Sequence, residues 1–434
     1  MDVEKVAALL ILLAIPYFYG LIGLEILYAK WKGRKVYRLN DSITDINMGI
    51  LDRTLDIFAK VAVIGAYILC YESFHFLEIG LNSPVAWIVA FVLVDFCFYW
   101  SHRMCHTINF LWACHVVHHS SEEMNLTVAL RQSATESLFT WTFYLPLAFI
   151  GFPWPMWVIC YQINLLYQFW VHTQMVGKLG PVEWIMNTPS HHRVHHGADE
   201  KYIDKNHAGV FIIWDRMFGT FQEEEEDPTY GIVTPLRSWN PVWGHLHYWV
   251  RLFNLSRSAK RLKEKVLVWV KSPPWLPEGV EPTPPERTVR YPAYQKFDIP
   301  IGKGLTAYTF LQFLSLMGLV SALMFTEQTL PFGEKLFAAA MILWALLSVG
   351  GLLERKRWAL ISEFFRVPAM ILFLSAGTIR MGLVSSATIP MGVAFFLTVG
   401  LLFFGWAISL RREFSEPLLD PSSIEVTEAE NLAK

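Results

Sequence analysis

The residues whose types and spacing could do chemistry are histidines. Ten of the 14 histidines lie between positions 102 and 196. They form the clusters "HRMCH" at 102–106, "HVVHH" at 115–119 and "HHRVHH" at 191–196, with one more histidine at 172. Histidines three or four positions apart share one face of a helix, where two imidazoles can hold one transition-metal ion. The spacing therefore predicts metal binding.

The number of clustered histidines predicts two metal ions, because a closed zinc site takes four ligands and a catalytic one about three. Imidazole binds iron, zinc, copper and nickel, so the ligand type alone leaves the ion open. A reducing cytosol, an apolar body and the lack of a carboxylate-rich helix favour two irons that activate O2 over a hydrolytic zinc pair. We expect no catalytic side chain beyond this metal centre. The predicted ligands are His102, His106, His115, His118, His119, His172, His192, His195 and His196.

Several polar residues near the clusters are candidates for supporting these ligands. A metal-bound histidine usually donates its second N–H to a carboxylate or a carbonyl. Asp95 precedes His102 and His106 by seven and eleven positions, on one stripe of a helix, and we expect its carboxylate to orient one of them. The other candidates are Glu136, His191 and Asp215. We interpret His75, His245 and His247 as structural.

The rest of the chain indicates a membrane protein. It is 53% hydrophobic and only 17% charged, against about 25% charged in soluble proteins. About 20 apolar residues make one membrane-spanning helix. Nine stretches approach this, the fourth and fifth as a hairpin broken at proline: 6–28, 54–71, 84–101, 137–152, 154–172, 305–325, 334–353, 358–378 and 386–410. The predicted fold is all-α, a polytopic membrane helical bundle with a cytosolic, histidine-rich di-metal cap.

Charge sets the predicted orientation. Lys- and Arg-rich segments such as "AKWKGRK" stay on the cytosolic side of a membrane, which also places the histidine clusters there. The membrane would be the endoplasmic reticulum in a eukaryote or the inner membrane in a bacterium. A net charge of −2 gives no indication of nucleic-acid binding. Five cysteines without a Cys-x-x-Cys pair argue against a disulfide framework.

Four regions follow from this distribution. Residues 1–250 form the predicted membrane catalytic domain, and 251–304 a cytosolic linker that includes "SPPWLPEGVEPTPPERTVRYP". Residues 305–410 form a four-helix transmembrane block without histidine, and 411–434 an acidic tail expected to be disordered. The polar stretch 173–304 is expected to lie outside the lipid.

The histidine boxes H-x-x-x-H, H-x-x-H-H and H-x-x-H-H resemble those of the fatty acid hydroxylase and sterol desaturase superfamily, which are membrane di-iron oxygenases. The resemblance covers roughly residues 40–250 and includes "NLLYQFWVHTQMVGKLGPVEWIMNTPSHHRVHHG" and "YIDKNHAGVFIIWDRMFGTF". It implies that the boxes hold two irons, and His172 matches a further histidine of the family. In "DKNHAG", His207 stands where relatives often carry tyrosine, so it is either an added ligand or a supporting residue.

Within that superfamily the chain is most similar to members that cleave ether lipids. This implies O2-dependent hydroxylation of the carbon beside the ether oxygen of an alkylglycerol, which yields a fatty aldehyde and a glycerol derivative. It also implies tetrahydrobiopterin as the reductant. The sequence has no Gly-rich nucleotide loop or flavin motif, so the electrons come from a reduced pterin or a separate donor protein.

Two alternatives stay open at this point. The same site could hydroxylate or desaturate a sterol, a fatty acyl chain or a carotenoid, since pocket shape decides the substrate. A metal-binding transporter is an alternative of another class. Transport sites normally lie near the bilayer midplane between broken helices, whereas these clusters lie outside the apolar stretches.

Overall fold

The computed structural model describes residues 3–281, 295–380 and 389–414. Its regular elements are helices, and the described ranges contain no strand and only two isolated β-bridges. The all-α prediction is therefore confirmed. The chain divides into two compact units, Met1–Phe297 and Asp298–Lys434.

The first unit contains eleven α-helices in its described part. They are α1 (Val3–Trp31), α2 (Leu39–Phe74), α3 (Pro84–Thr107), α4 (Asn109–His119), α5 (Ser137–Thr140), α6 (Leu145–Ile150), α7 (Trp154–Trp170), α8 (Pro189–His195), α9 (Ile213–Phe218), α10 (Pro241–Ser258) and α11 (Leu262–Val270). Short 3-10 helices cover Val128–Leu130, Trp141–Tyr144 and Gly180–Trp184.

The helices α3 and α4 are joined by a single residue. Ser83 caps the start of α3, where its side chain accepts a hydrogen bond from the amide of Ala86 and proline follows at the first helical position. Ile108 then takes an extended conformation between α3 and α4. The chain turns sharply there, so the histidines at the end of α3 face those of α4.

The predicted hairpin of residues 137–172 is uneven in the structure. Its first half is divided among α5, a 3-10 helix and α6, while its second half forms the continuous helix α7. Gly151 separates the halves at φ +117°, and a Cβ there would lie 1.8 Å from the backbone oxygen of Leu77. Only glycine fits this turn, because it lacks the Cβ that would clash.

Two helices pack against α4: α10, which begins in the predicted catalytic domain and ends in the predicted linker, and α11, which lies within the linker. Val116 on α4 shares a buried core with Tyr248 and Leu252 on α10 and with Val268 on α11. The side chain of Asn109, at the start of α4, donates to the backbone oxygen of Val268 at 2.9 Å. Residues 251–270 thus belong to the framework of α4, whereas 282–294 of the predicted linker lie outside the described residues.

The second unit contains α12 (Lys303–Thr326), α13 (Phe332–Leu353), α14 (Arg357–Arg380) and α15 (Ile389–Ser409), followed by a 3-10 helix, Leu410–Phe414. Arg366 on α14 is 1% exposed. Its guanidinium donates two hydrogen bonds of 2.7 Å to Glu363, which also accepts from Tyr308. A buried charge needs such partners. The predicted tail beyond residue 414 lies outside the described residues.

Four of the described helices are long and apolar enough to cross a membrane: α2, α3, α12 and α13. The protein is therefore a membrane protein. The arrangement of nine passes with cytosolic histidines stays a prediction.

Candidate metal centre

The nine histidines predicted as ligands come together in two groups. His102, His106, His115, His119 and His195 form the five-histidine group, and His118, His172, His192 and His196 form the four-histidine group. Within each group, one candidate ligand atom from every residue lies within 4.8 Å of all the others. The nine side chains are only 1–6% exposed.

Helical geometry explains why two of the histidine clusters contribute to both groups. Residues four apart stay on nearly the same helix face, so His115 with His119 enters one group and His192 with His196 the other. His118 and His195 lie between these pairs, and each joins the opposite group. The groups are adjacent, since the rings of His119 and His196 stack with centroids 4.4 Å apart.

The Nδ1 atoms of five of these imidazoles each have an acceptor. Four lie beside backbone carbonyls: His102 beside His207 (2.8 Å), His118 beside Arg131 (3.0 Å), His172 beside Gln168 (2.8 Å) and His195 beside Lys205 (2.9 Å). The fifth, His115, lies 3.0 Å from the carboxylate of Glu136. A carbonyl oxygen only accepts, so the single proton of the neutral imidazole is on Nδ1, and Nε2 presents a lone pair.

These Nε2 lone pairs point at one another. The Nε2 atoms of His118 and His172 are 3.1 Å apart, although both residues use their proton at Nδ1. The Nε2 atoms of His102 and His115, whose Nδ1 atoms also have acceptors, are 3.0 Å apart. Among the described residues, the Nε2 atoms of His106 and His195 are buried and have no hydrogen-bond partner. Facing lone pairs repel, and a cation between them converts that repulsion into coordination. The donor set therefore fits a transition metal.

Comparison with known proteins is consistent with this geometry. The fatty acid hydroxylase family model matches residues 87–220, which include all nine histidines. The alkylglycerol monooxygenase of Xenopus tropicalis is 37% identical over 363 residues, 83% of this chain and 81% of that protein. Those of Danio rerio (38% over 378 residues, 85% and 82%) and Homo sapiens (35% over 411 residues, 93% and 90%) are also similar.

The chain belongs to the alkylglycerol monooxygenase family. Its predicted resemblance to the fatty acid hydroxylases is confirmed, and it is a membrane-bound, lipid-hydroxylating monooxygenase. The family and the histidine groups together suggest that it binds iron. No solved structure matches the chain.

Burial keeps the imidazoles of this alkylglycerol monooxygenase family member neutral. It lowers the pKa of His115 to about 3 and that of His118 to about 4. A histidine must be deprotonated to bind a metal, and protons compete for the same nitrogen. Near neutral pH the Nε2 atoms of His115 and His118 are therefore unprotonated and free to coordinate a metal ion.

The burial of histidines should also make the metal-depleted protein less stable in acid. Burial lowers the pKa of four histidines outside the candidate spans, namely His115, His118, His191 and His245, to about 3 or 4. Below about pH 6.5 the unfolded chain binds protons that the folded chain does not, so the free energy of unfolding falls as pH falls. Burial also lowers the pKa of six further histidines outside the candidate spans: His119, His192, His195, His196, His207 and His247. Burial raises the pKa of Glu136 to about 7 and that of Asp215 to about 6, which offsets part of this effect.

Each uncompensated proton lowers the free energy of unfolding by about 1.4 kcal/mol per pH unit between about pH 6.5 and 5. The melting temperature of the metal-depleted protein, measured at pH 7.5, 6.5 and 5.5, should be flat over the first interval and drop over the second. A melting temperature that is constant or rises down to pH 5.5 would contradict neutral, buried histidines.

Glu136, a predicted supporting residue, is half-buried and accepts from Nδ1 of His115. Its negative charge makes the opposite nitrogen of that ring a stronger electron donor. Replacing Glu136 with glutamine keeps an acceptor but removes the charge. We expect Fe(II) affinity to fall about 10- to 100-fold, measured by competition with a chelator. The exposed Glu225→Gln variant is the control, and equal affinities in both variants would show that Glu136 only fills space.

Asp215, another predicted supporting residue, acts through the backbone. Its carboxylate accepts from the amides of His207 and Ala208, both at 2.8 Å, and from the hydroxyl of Thr220. The carbonyl of His207 is the acceptor for His102. Asp215 thus fixes the loop that orients one predicted ligand.

From the loop at residues 204–207 the sequence identified only His207, and the supporting role of the loop's backbone was missed. Asp204 and Asn206 have positive φ values of 59° and 54°, a conformation that Asp and Asn tolerate better than most residues. This turn directs the carbonyls of Lys205 and His207 toward His195 and His102. It also places the Asp204 carboxylate 3.5 Å from Nδ1 of His106. The available signal was "DKN", an Asp and an Asn within a short polar turn.

Of the remaining predicted supporting residues, Asp95 and His191 lie apart from the expected positions, whereas His207 lies next to the predicted ligands. Asp95 hydrogen-bonds to Asn164 and to residues 210–214 instead of orienting His102 or His106. His191 is buried outside both groups, with its ring 5.5 Å from that of Phe221. His207 lies beside the five-histidine group, with its ring centroid 4.9 Å from that of His106.

Proposed function

We propose that the five-histidine group and the four-histidine group each hold one iron ion, and that this pair hydroxylates the ether-adjacent carbon of alkylglycerols. The observation that supports the metal pair is the convergence of Nε2 lone pairs in two separate, buried groups. The support for the substrate is the name shared by three relatives that align with most of the chain.

The proposed reaction inserts one oxygen atom into a C–H bond. The substrate R–CH2–O–R′, O2, two electrons and two protons give the hemiacetal R–CH(OH)–O–R′ and water. The hemiacetal then loses R′–OH and leaves the fatty aldehyde. Iron supplies the activation of O2, which no amino-acid side chain provides.

The chain's own residues hold and isolate this centre. Backbone carbonyls from three separate segments fix the rotation of His102, His118, His172 and His195. Burial of all nine rings excludes bulk water, which protects reactive species from side reactions. The site is thus organised before any ligand arrives.

The proposed electron donor is a reduced pterin, with tetrahydrobiopterin as the candidate implied by the family. The proposed topology has nine passes with the histidine groups on the cytosolic side, where a soluble reductant can reach them. The endoplasmic reticulum or a bacterial inner membrane fits this topology.

The test is turnover in nanodiscs with a 1-O-alkylglycerol, tetrahydrobiopterin and 18O2. We expect O2-dependent fatty aldehyde that carries 18O when it is reduced to the alcohol as it forms. The matched control substrate is the 1-O-acylglycerol, which has a carbonyl in place of the reactive CH2 and should give no aldehyde. Aldehyde whose oxygen comes from water under anaerobic conditions would contradict the proposal.

A further inference from the structure

A patch of exposed apolar side chains lies in a region that the sequence places outside the lipid. It comprises Leu179, Val182, Trp184, Ile185 and Met217, which we call the 179–217 patch, with exposures of 42%, 52%, 68%, 56% and 66%. Single exposed apolar residues are ordinary on soluble surfaces, but a cluster of large ones marks an interaction surface. The question is which partner covers it.

The neighbouring loop, residues 209–214, is anchored to the middle of α3. The carboxylate of Asp95 on α3 accepts from the amides of Val210 (2.7 Å) and Phe211 (3.0 Å) and from the indole of Trp214 (2.8 Å). Asp95 lies seven residues before His102, about 10 Å along the helix. The loop therefore runs beside the middle of α3, a candidate membrane span.

Close packing holds this loop against α3. The ring of Phe211 lies edge-on to Phe91 with centroids 6.0 Å apart, and Trp214 packs on Phe96 at 5.1 Å. A Cβ on Gly209 would lie 2.8 Å from oxygens of Asp95 and Asn164. Only glycine lets the backbone approach this closely.

The 179–217 patch is connected directly to that loop. Met186 forms a β-bridge with Phe211, and the amide of Asn187 donates to the carbonyl of Val210 at 2.7 Å. The indole ring of Trp184 lies 4.9 Å from the guanidinium of Arg216. Because Phe211 packs on α3 well before its histidines, these connections place the patch beside the apolar part of that helix.

Hydrogen bonding is consistent with lipid around this region. Irregular backbone is tolerated at membrane depth only where protein groups satisfy its amides. The carboxylate of Asp95 does this for the amides of Val210 and Phe211. It also accepts a hydrogen bond of 2.7 Å from the side-chain amide of Asn164. Nearer the start of α3, about one turn beyond Phe91, Ile88 (66%) and Val89 (43%) also expose apolar side chains.

We propose that the 179–217 patch inserts into the lipid bilayer beside α3, with its side chains in contact with acyl chains. The segment from 179 to 185 is then a membrane-embedded element that does not span. The exposed apolar surface of α3 next to this loop belongs to a candidate membrane span, so we infer that the same bilayer covers both. This inference is independent of the identity of the metals and of the reaction.

The test places a single label at Trp184. Four of the five cysteines are buried, so Trp184→Cys in a Cys70→Ser background offers one accessible thiol. The matched control is Glu225→Cys in the same background, since Glu225 has a side chain that is 61% exposed. Both variants are placed in nanodiscs, where each membrane face is open to reagent. Unchanged gel-filtration profiles show that both are folded.

Two readouts separate the possible partners. We expect a charged, membrane-impermeant maleimide to label position 184 at least about tenfold more slowly than position 225. A fluorescent group attached at 184 should be quenched by phosphatidylcholine carrying a nitroxide on its acyl chain, and the same group at 225 should not. Equal labelling rates would overturn the proposal. Protection of position 184 without quenching would also overturn it, because protein would then cover the patch.

Discussion

Replacing His192 with alanine should abolish lipid hydroxylation. The Nε2 of His192 lies 2.8 Å from that of His172 and 3.1 Å from that of His196, so its ring is central to the four-histidine group. Loss of a residue that merely orients a metal ligand costs about 10- to 100-fold in affinity or activity, and loss of a ligand costs more. We expect turnover to fall by more than about 100-fold, with a matching loss of bound iron.

His191 provides the matched control at the adjacent position. It is as buried as His192 and lies on the same short helix, but its ring packs on Phe221 outside both groups. His191→Ala should keep its iron and most of its turnover. Equal iron loss in the His191 and His192 variants would mean that both substitutions act by disrupting the structure of α8. The assignment of His192 as a ligand would then be wrong.

Among these single substitutions, replacing Arg131 with methionine should cause the largest loss of free energy of unfolding. Arg131 is 2% exposed and pairs with Asp45, which is fully buried, at 2.9 Å. It also donates to the carbonyl of Val117 and to Ser120 at the end of α4, while its own carbonyl accepts from His118. Removing the cation leaves the Asp45 charge buried and unpaired, which costs about 3–5 kcal/mol.

A second substitution separates charge burial from packing. In Arg131→Met with Asp45→Asn, the carboxylate that pairs directly with Arg131 is removed together with it, and the amide can still accept from Thr127, as Asp45 does. Replacing both members of a buried pair is often close to neutral. The melting temperature in detergent should therefore drop strongly in the single variant and recover mostly in the double variant. No recovery would show that Arg131 acts through its contacts with α4 instead.

Of the nine histidines, His172 could be predicted only from the family resemblance and from its position at the end of an apolar stretch. The other eight could be identified from the sequence because chelation by one helix leaves a spacing of three or four residues. Their division into two groups could not. His118 and His119 are adjacent in the chain, yet they enter different groups because the partners come from α3, α7 and α8. The distances between those helices depend on tertiary packing, which a local spacing does not contain.

Supporting residues were harder to predict for a similar reason. Asp95 shares a helical stripe with His102, but its hydrogen bonds reach residues more than 110 positions away. Backbone carbonyls such as those of Lys205 and His207 orient two imidazoles, and a carbonyl has no residue type that a sequence could reveal. Glu136 could be identified because it lies near the second box and carries a charge.

The membrane regions likewise include some that the sequence predicts and one that depends on tertiary packing. Apolar length predicts α2, α3, α12 and α13 as candidate spans, because a helix that crosses lipid needs a continuous apolar stretch. The segment around Phe211 does not have that length. It reaches the level of Asp95 because the protein satisfies its amides, a tertiary effect.

The most direct test of the central claim is the number of iron ions bound per chain. The full-length protein would be purified in detergent, loaded anaerobically with Fe(II), freed of excess metal and examined by elemental analysis. The two histidine groups predict close to two irons per chain, and close to none in a variant with His192, His195 and His196 all replaced by alanine. One iron per chain, or stoichiometric zinc that Fe(II) does not displace, would contradict a di-iron centre.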